Sequence, residues 1–312
     1  MSDPADQGMD PAVLAGMDHF GPRTDPPANG FLIVRHGYVV YEEYFHGFGP
    51  DSYNSVNSVT KSVISILIGI AIRDRLVDSI DQALADFFPE ADPRVKVRHL
   101  LTMTSGFSQE TLDLGAMLRD GDPAGVVLRR PIAHEPGTHF LYDDMAVHLL
   151  SILLSRVTGR SAAEFAYHEL FEPLGIWTDP RCRRLWPSAR FGPHTFHTAL
   201  GGEFPANGLL WKVDRLGHST GGFGLHFTLR EMAKLGFLYL HGGRWEDRQI
   251  VPEDYVAEST RAQNSGGPPV GSPYGLLWWL DGGRRPGFTA SGFGGQIVSV
   301  TPGASLIFVT AT

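Results

Sequence analysis

A single cysteine, Cys182, stands in the 312-residue chain. One thiol can form neither an internal disulfide nor a multi-cysteine metal site, so nothing ties the fold to an oxidising compartment. Lysine is almost as sparse: of 26 basic residues only four are Lys, at positions 61, 96, 212 and 234. The basic residues are scattered and the net charge is −8, which leaves no patch of the kind that neutralises phosphates and argues against a nucleic-acid partner. Long apolar runs are missing too. The longest, Val63 to Ile72, is interrupted by Ser65 and Gly69 and is far shorter than the roughly 20 residues that cross a bilayer. The first ten residues are acidic, with no basic start followed by an apolar run, so the expectation is a cytoplasmic protein without a membrane partner.

What is present is an ordinary globular balance, 42% hydrophobic and 19% charged, which supports a folded chain with a sizeable core. The length exceeds that of a usual single core and points to two lobes. Residues 1–30, with five prolines, read as an arm over the surface, in which only Pro11 to Phe20 looks helical. Phe31 to Arg35 and Tyr38 to Phe45 are β-rich runs around the turn pair His36-Gly37, a hairpin. The stretch from Ser58 to Arg73 lacks strand alternation and is too long for a typical strand, so it predicts a buried helix with Ser58 at its N-terminus. From Ile80 to about Thr198 the pattern is helical, most clearly at 97–104, 145–157 and 161–171. After Gly224 come a helix over 229–240 and strands over 274–280, 287–292, 296–301 and 305–310. The sum is an α+β fold: an antiparallel sheet flanked by helices, built from residues 31–79 and 224–312, with a mainly helical lobe, 80–223, inserted. The site is expected between the lobes.

Two residues in that first helix carry the chemistry. Positions three apart share a helix face, so Ser58 and Lys61 can bring Oγ and Nζ within hydrogen-bonding reach, and the helix N-terminus favours negative charge developing beside Ser58. A bare Ser-x-x-Lys also fits a capping serine beside a solvated lysine. Lysine scarcity speaks against that. A chain that uses Arg wherever a positive charge suffices has kept Lys here, and only Lys can give up its proton when desolvated. Lys61 also opens an otherwise apolar helix, where burial is expected to lower its pKa.

Ser58-Val59-Thr60-Lys61 resembles the first motif of serine β-lactamases and penicillin-recognising peptidases. Further segments resemble the same family in the same order: Leu100 to Gly106, Tyr142-x-Asp144, Val157-Thr158-Gly159, Pro173 to Ile176, Trp211-x-x-Asp214, and Ala290-x-Gly292-x-Gly294-Gly295-Gln296. Together they cover about residues 30 to 312, and they are most similar to the branch of class C-like carboxylesterases and aminohexanoate-oligomer hydrolases. The resemblance implies a β-lactamase/transpeptidase-like fold and an acyl-enzyme formed on Ser58. Lys61 and Tyr142 would move the protons, and the backbone N–H groups of Ser58 and Phe293 would form the oxyanion hole. No metal or organic cofactor is implied. Asp144, Ala290, Ser291 and Gly292 would meet the substrate, a small ester or amide. Two positions depart from the family pattern. Asp144 stands where the family has Asn, and an ionised carboxylate cannot donate to a substrate carbonyl; it would either hold Lys61 charged or attract a cationic substrate group. Ala290 stands where the family has Lys or His, so the cation that would grip a penicillin carboxylate is missing. A β-lactamase or D-amino-acid peptidase of the same fold remains an alternative, as does a binding module that has lost catalysis.

Rival motifs are weaker. Gly217-His218-Ser219-Thr220-Gly221 matches a nucleophile elbow, but the glycine-rich run after it is not helical, and only Glu231 then His241 supply the acid and histidine in the order that fold requires. The histidines, including His194, His197 and His168, form no His-Glu-x-x-His. The chain stops at Thr312, where the family normally adds a final helix; a truncated chain would expose one sheet face and lose stability or associate through it. The sequence is equally compatible with a homo-oligomer.

Overall fold

The computed structural model describes residues 1–110, 113–177, 202–205 and 207–312. The N-terminal arm is two short helices rather than one: α1 (Pro11–Ala15), capped by Asp10 and started by Pro11, and α2 (Met17–Phe20). Strands β1 (Gly30–Arg35) and β2 (Tyr38–Tyr44) form the expected hairpin. His36 and Gly37 both have positive φ, 48° and 83°, as a two-residue primed turn requires. After the short strand β3 (Asn54–Ser55) comes α3 (Val59–Arg73), whose residues from Val59 to Ala71 are all buried. A helix apolar on every side belongs inside the molecule, and α3 is its central element.

The helical part follows as α4 (Val97–Leu101), α5 (Leu114–Arg119), α6 (Pro123–Leu128), α7 (Asp144–Thr158) and α8 (Ala162–Ala166), the last running into one π-helical turn, Tyr167–Phe171. Helix α7 starts at the Asp143 cap and stops at Gly159, which takes the left-handed conformation at φ 67°. Strand β4 (His226–Phe227) pairs with β3 and ties the loop before α3 to the second half of the chain. Helix α9 (Leu229–Leu240) opens on a reciprocal cap between Thr228 and Glu231. A small hairpin, β5 (Arg244–Trp245) and β6 (Arg248–Gln249), leads to α10 (Glu253–Ser259). Helix α10 was not among the expected elements; its acidic first turn, Glu253 and Asp254, is the local sequence signal for it.

The chain ends with β7 (Trp279–Asp281), β8 (Gly287–Gly292), β9 (Gln296–Thr301) and β10 (Leu306–Ala311). The strand expected over 274–280 is confined to its last residues, because Leu277 adopts φ 61° and breaks the extended run. Six strands make one antiparallel sheet in the order β2-β1-β10-β9-β8-β7, so the first strand pairs with the last. Helices α3 and α9 pack on one face of it. On the other face Leu14 of α1 lies against Ile33 and Val40. The result is an α+β fold with an antiparallel sheet flanked by helices. Among the described residues, no helix is long and apolar enough to cross a membrane.

Candidate active site

Ser58 sits at the N-cap of α3, yet its side chain makes no capping bond. It accepts a hydrogen bond from Lys61 Nζ at 2.8 Å instead. Lys61 is 1% exposed. A charge buried this deeply needs partners, and Nζ has three oxygens around it: Ser58 Oγ, the carbonyl of Gly222 at 2.8 Å and Asp144 Oδ1 at 2.5 Å. The first two are aligned hydrogen bonds. The contact with Asp144 is a charge contact with poor hydrogen-bond direction, since Oδ1 accepts from no well-aligned donor. Its short distance still makes Asp144 the electrostatic partner of the lysine. Burial acts to lower the Lys61 pKa, but Asp144 and Tyr142 outweigh it and hold the group above its ordinary value. This corrects the sequence expectation of a lowered pKa, which took account of desolvation but not of a carboxylate in contact.

Tyr142 lies just before α7, its ring 4.6 Å from Lys61 Nζ and stacked on Trp279 at 5.9 Å. Trp279 in turn packs edge-on against Tyr274, so an aromatic wall fixes the Tyr142 ring. The segment that carries Tyr142 and Asp144 is anchored between them. Asp143 caps α7 through the N–H groups of Met145 and Ala146, and its other oxygen meets Arg130 Nη1 at 2.6 Å. Arg130 also donates to the carbonyl of Ser108.

On the opposite side, β8 brings its end against Ser58. A methyl group on Gly292 would stand 2.5 Å from the Val56 carbonyl oxygen and 3.1 Å from Ser58 N, so only glycine permits this approach. Asn57 fastens the same corner by donating from Nδ2 to the Phe293 carbonyl at 2.8 Å. Strand β8 pairs with β7 only from Gly287 to Thr289, so the β7-facing edge of Ala290, Ser291 and Gly292 has no ladder partner there. Ala290 points into the core at 1% exposure, Ser291 is half-buried and the Phe293 side chain is 86% exposed.

Polar contacts behind the lysine hold the segment that carries Gly222. Asp214 Oδ2 accepts from His148 Nε2 at 3.1 Å, and His148 Nδ1 accepts from the Gly221 N–H at 3.2 Å. This pattern makes His148 the neutral Nε2–H tautomer. It also fixes the residue before Gly222, whose carbonyl holds Lys61. A methyl group at position 222 would displace the Asp144 carboxylate, because it would collide with Oδ1. Asp214 further receives His218 Nδ1 at 2.9 Å. Burial would raise the Asp214 pKa, but hydrogen bonds from His148 and His218 outweigh it and hold the carboxyl far below its ordinary range. Trp211, the other member of the Trp-x-x-Asp segment, is fully buried and donates to the Thr220 carbonyl at 2.8 Å. The only trace of this support in the sequence was Trp211-x-x-Asp214; nothing marked His148 as its partner.

Among known proteins, the beta-lactamase family model matches residues 18–312. The chain belongs to the β-lactamase family. The 6-aminohexanoate-dimer hydrolase of Paenarthrobacter ureafaciens is 24% identical over 311 residues, covering 90% of this chain and 71% of that one. The esterase EstB of Burkholderia gladioli is 25% identical over 177 residues, 46% of this chain and 44% of that one. Among solved structures, a penicillin-binding protein homologue from Caulobacter crescentus superposes with a TM-score of 0.74 at 20% identity, covering 96% of this chain and 91% of that one. The fold is therefore β-lactamase/transpeptidase-like.

Within this β-lactamase-family frame the rival motifs find other uses. Ser219 is fully buried, and its Oγ accepts from the Ala163 N–H at 3.0 Å, so it is a structural link rather than an elbow. Glu231 accepts the N–H groups of Trp177 and Thr228. His241 bonds the Phe237 carbonyl. His194, His197 and Cys182 lie outside the described residues. Among the described residues, no three His, Cys, Asp or Glu side chains gather where they could hold a metal ion.

Proposed function

We propose that this β-lactamase-family protein is a serine hydrolase that acts through an acyl-enzyme on carboxylic esters or small amides. The observation that carries the reading is the 2.8 Å contact between Ser58 Oγ and Lys61 Nζ, beside a strand end that approaches Ser58 N. In this mechanism Lys61, as the amine, takes the Ser58 proton while Oγ bonds to the substrate carbonyl carbon. The Ser58 and Phe293 N–H groups receive the developing oxyanion. Tyr142, beside Lys61, passes the proton to the leaving alcohol or amine. Water then attacks the acyl-Ser58 ester, with the same groups moving the proton in reverse, and the acid departs.

Support for esters and amides comes from two sides. The relatives include proteins named for an esterase and for an aminohexanoate-dimer hydrolase activity. At position 290, where a cation would hold a penicillin carboxylate, there is a buried alanine. A fluorophosphonate probe tests the reading: mass added at Ser58 by peptide mapping, together with loss of p-nitrophenyl butyrate hydrolysis in Ser58→Ala, is the expected result. Full activity in Ser58→Ala would overturn it.

A further inference from the structure

Lys61 Nζ stands among Ser58 Oγ, the Gly222 carbonyl and Asp144 Oδ1, with Tyr142 beside it. A ring of oxygens that includes a carboxylate at 2.5 Å favours Lys61-NH3⁺ over the free amine, and an ammonium cannot accept the serine proton. Two of the three oxygens are common to any lysine placed here, a hydroxyl and a backbone carbonyl. The third, Asp144, is a full negative charge, and Gly222 keeps the space that lets it come within 2.5 Å. From the other elements around the lysine, the titratable groups facing it are Tyr142 and, behind the pair, Asp143 and Tyr274. Asp143 is already matched by Arg130. Asp144 is thus the charge that decides the protonation state of Lys61.

We infer that Asp144 is a positioning residue that keeps Lys61 as the ammonium in the free enzyme, so that acylation of Ser58 waits on loss of that proton. This rests on the serine-hydrolase reading above and deepens it. The balance is simple. Lys61-NH3⁺ first gives a proton to water, leaving the amine. The amine takes the Ser58 Oγ–H as the Oγ–C bond forms, which restores the ammonium next to Asp144, and that proton leaves with the departing group. Asp144 therefore acts twice with opposite sign: it makes the amine rare at neutral pH, and it makes the amine, once formed, a stronger base. An opposite charge in contact moves a pKa by about one to three units. For a proton transfer that responds to about half of a change in base strength, removing two units makes the amine about 100-fold commoner below its pKa and about tenfold slower per molecule.

The test is the pH dependence of fluorophosphonate labelling of Ser58, from pH 5 to 10.5, in the parent protein, in Asp144→Asn and in Asp144→Glu. The expected result is a pair of crossing curves. Asp144→Asn labels about tenfold faster than the parent near neutral pH, levels off at least about one unit lower, and is overtaken at the alkaline end by the parent, whose rate is still rising. Asp144→Glu, which keeps the charge, retains the parent shape. A purely structural role would lower the rate at every pH, so parallel or coincident curves overturn the inference. A second measurement needs no variant at position 144. With only four lysines, a spectrum of the protein carrying ¹³C-lysine can be assigned with Lys61→Arg. Lys61 resonances that hold still past the free-lysine value of about 10.4 support the inference, and titration below it overturns it. Absence of label at Ser58 at every pH would instead strike the serine-hydrolase reading, while the lysine titration would still decide the state of the pair.

Discussion

Arg130 Nη1 and Asp143 Oδ2 meet at 2.6 Å with both side chains at most 2% exposed, immediately beside Tyr142 and Asp144, the two groups that face Lys61. A buried pair of this kind is costly to break, because removing one partner strands the other charge. Arg130→Met is expected to lose about 3–5 kcal/mol of unfolding free energy and most of the hydrolytic activity. Arg130→Met with Asp143→Asn should regain much of the stability, since Asn still accepts at the α7 cap but carries no charge. Urea unfolding of both variants checks this; equal losses in the two would show that the pairing of charges is not what matters.

Gly222→Ala separates the site from the scaffold. The added methyl collides with Asp144 Oδ1 rather than with backbone. A modest stability loss of about 1–3 kcal/mol is expected, with a disproportionate change in the rate of Ser58 labelling. Thermal unfolding and labelling on the same sample provide the two readouts, and an unchanged labelling rate would argue against tight packing between Gly222 and Asp144.

The Asp214 carboxyl has a folded-state pKa below its unfolded value. Such a group contributes stability above the unfolded value of about 3.9, and the contribution disappears as pH falls through the folded value. The difference in unfolding free energy between the parent and Asp214→Asn should thus be constant above about pH 5 and shrink below pH 4. Denaturant titrations from pH 7 to pH 3 would show this, whereas a difference independent of pH would mean that the hydrogen bonds to His148 and His218 do not need the charge.

Substrate choice gives a fourth prediction. With alanine at position 290 pointing into the core, a penicillin carboxylate has no cation to meet there. Cephalosporin or penicillin hydrolysis should run at least about 100-fold below that of a p-nitrophenyl ester, a loss of the size expected when a charge-assisted contact is removed. Comparable turnover of the two, measured by absorbance, would place the carboxylate-binding cation elsewhere in the site.

The sequence made the framework legible where local rules act alone. The hairpin at His36-Gly37, the buried helix after Ser58, α9 and the last three strands follow from turn chemistry and periodicity, and the structure keeps those elements within a residue or so. Ser58 and Lys61 could be paired because helix geometry fixes a three-residue spacing. What the sequence could not supply was contact between distant segments. The raised pKa of Lys61 depends on Asp144, 83 positions away, and the carbonyl that holds it belongs to Gly222. The link from Asp214 through His148 to Gly221 is equally non-local. Helix α10 was missed for a different reason, its seven residues being too few for periodicity to show.

Strand β1 lies between β2 and β10, so the sheet that carries Ser58's neighbours is closed by residues from the two ends of the chain. The corner at Ser58 is likewise fastened by Asn57 and Phe293, 236 positions apart. Contacts of such long loop length are the slowest for a chain to gather. The nucleophile proposed at Ser58 is therefore expected to become reactive late in refolding, so that a probe reacting with this serine would report the completed molecule rather than a helical intermediate.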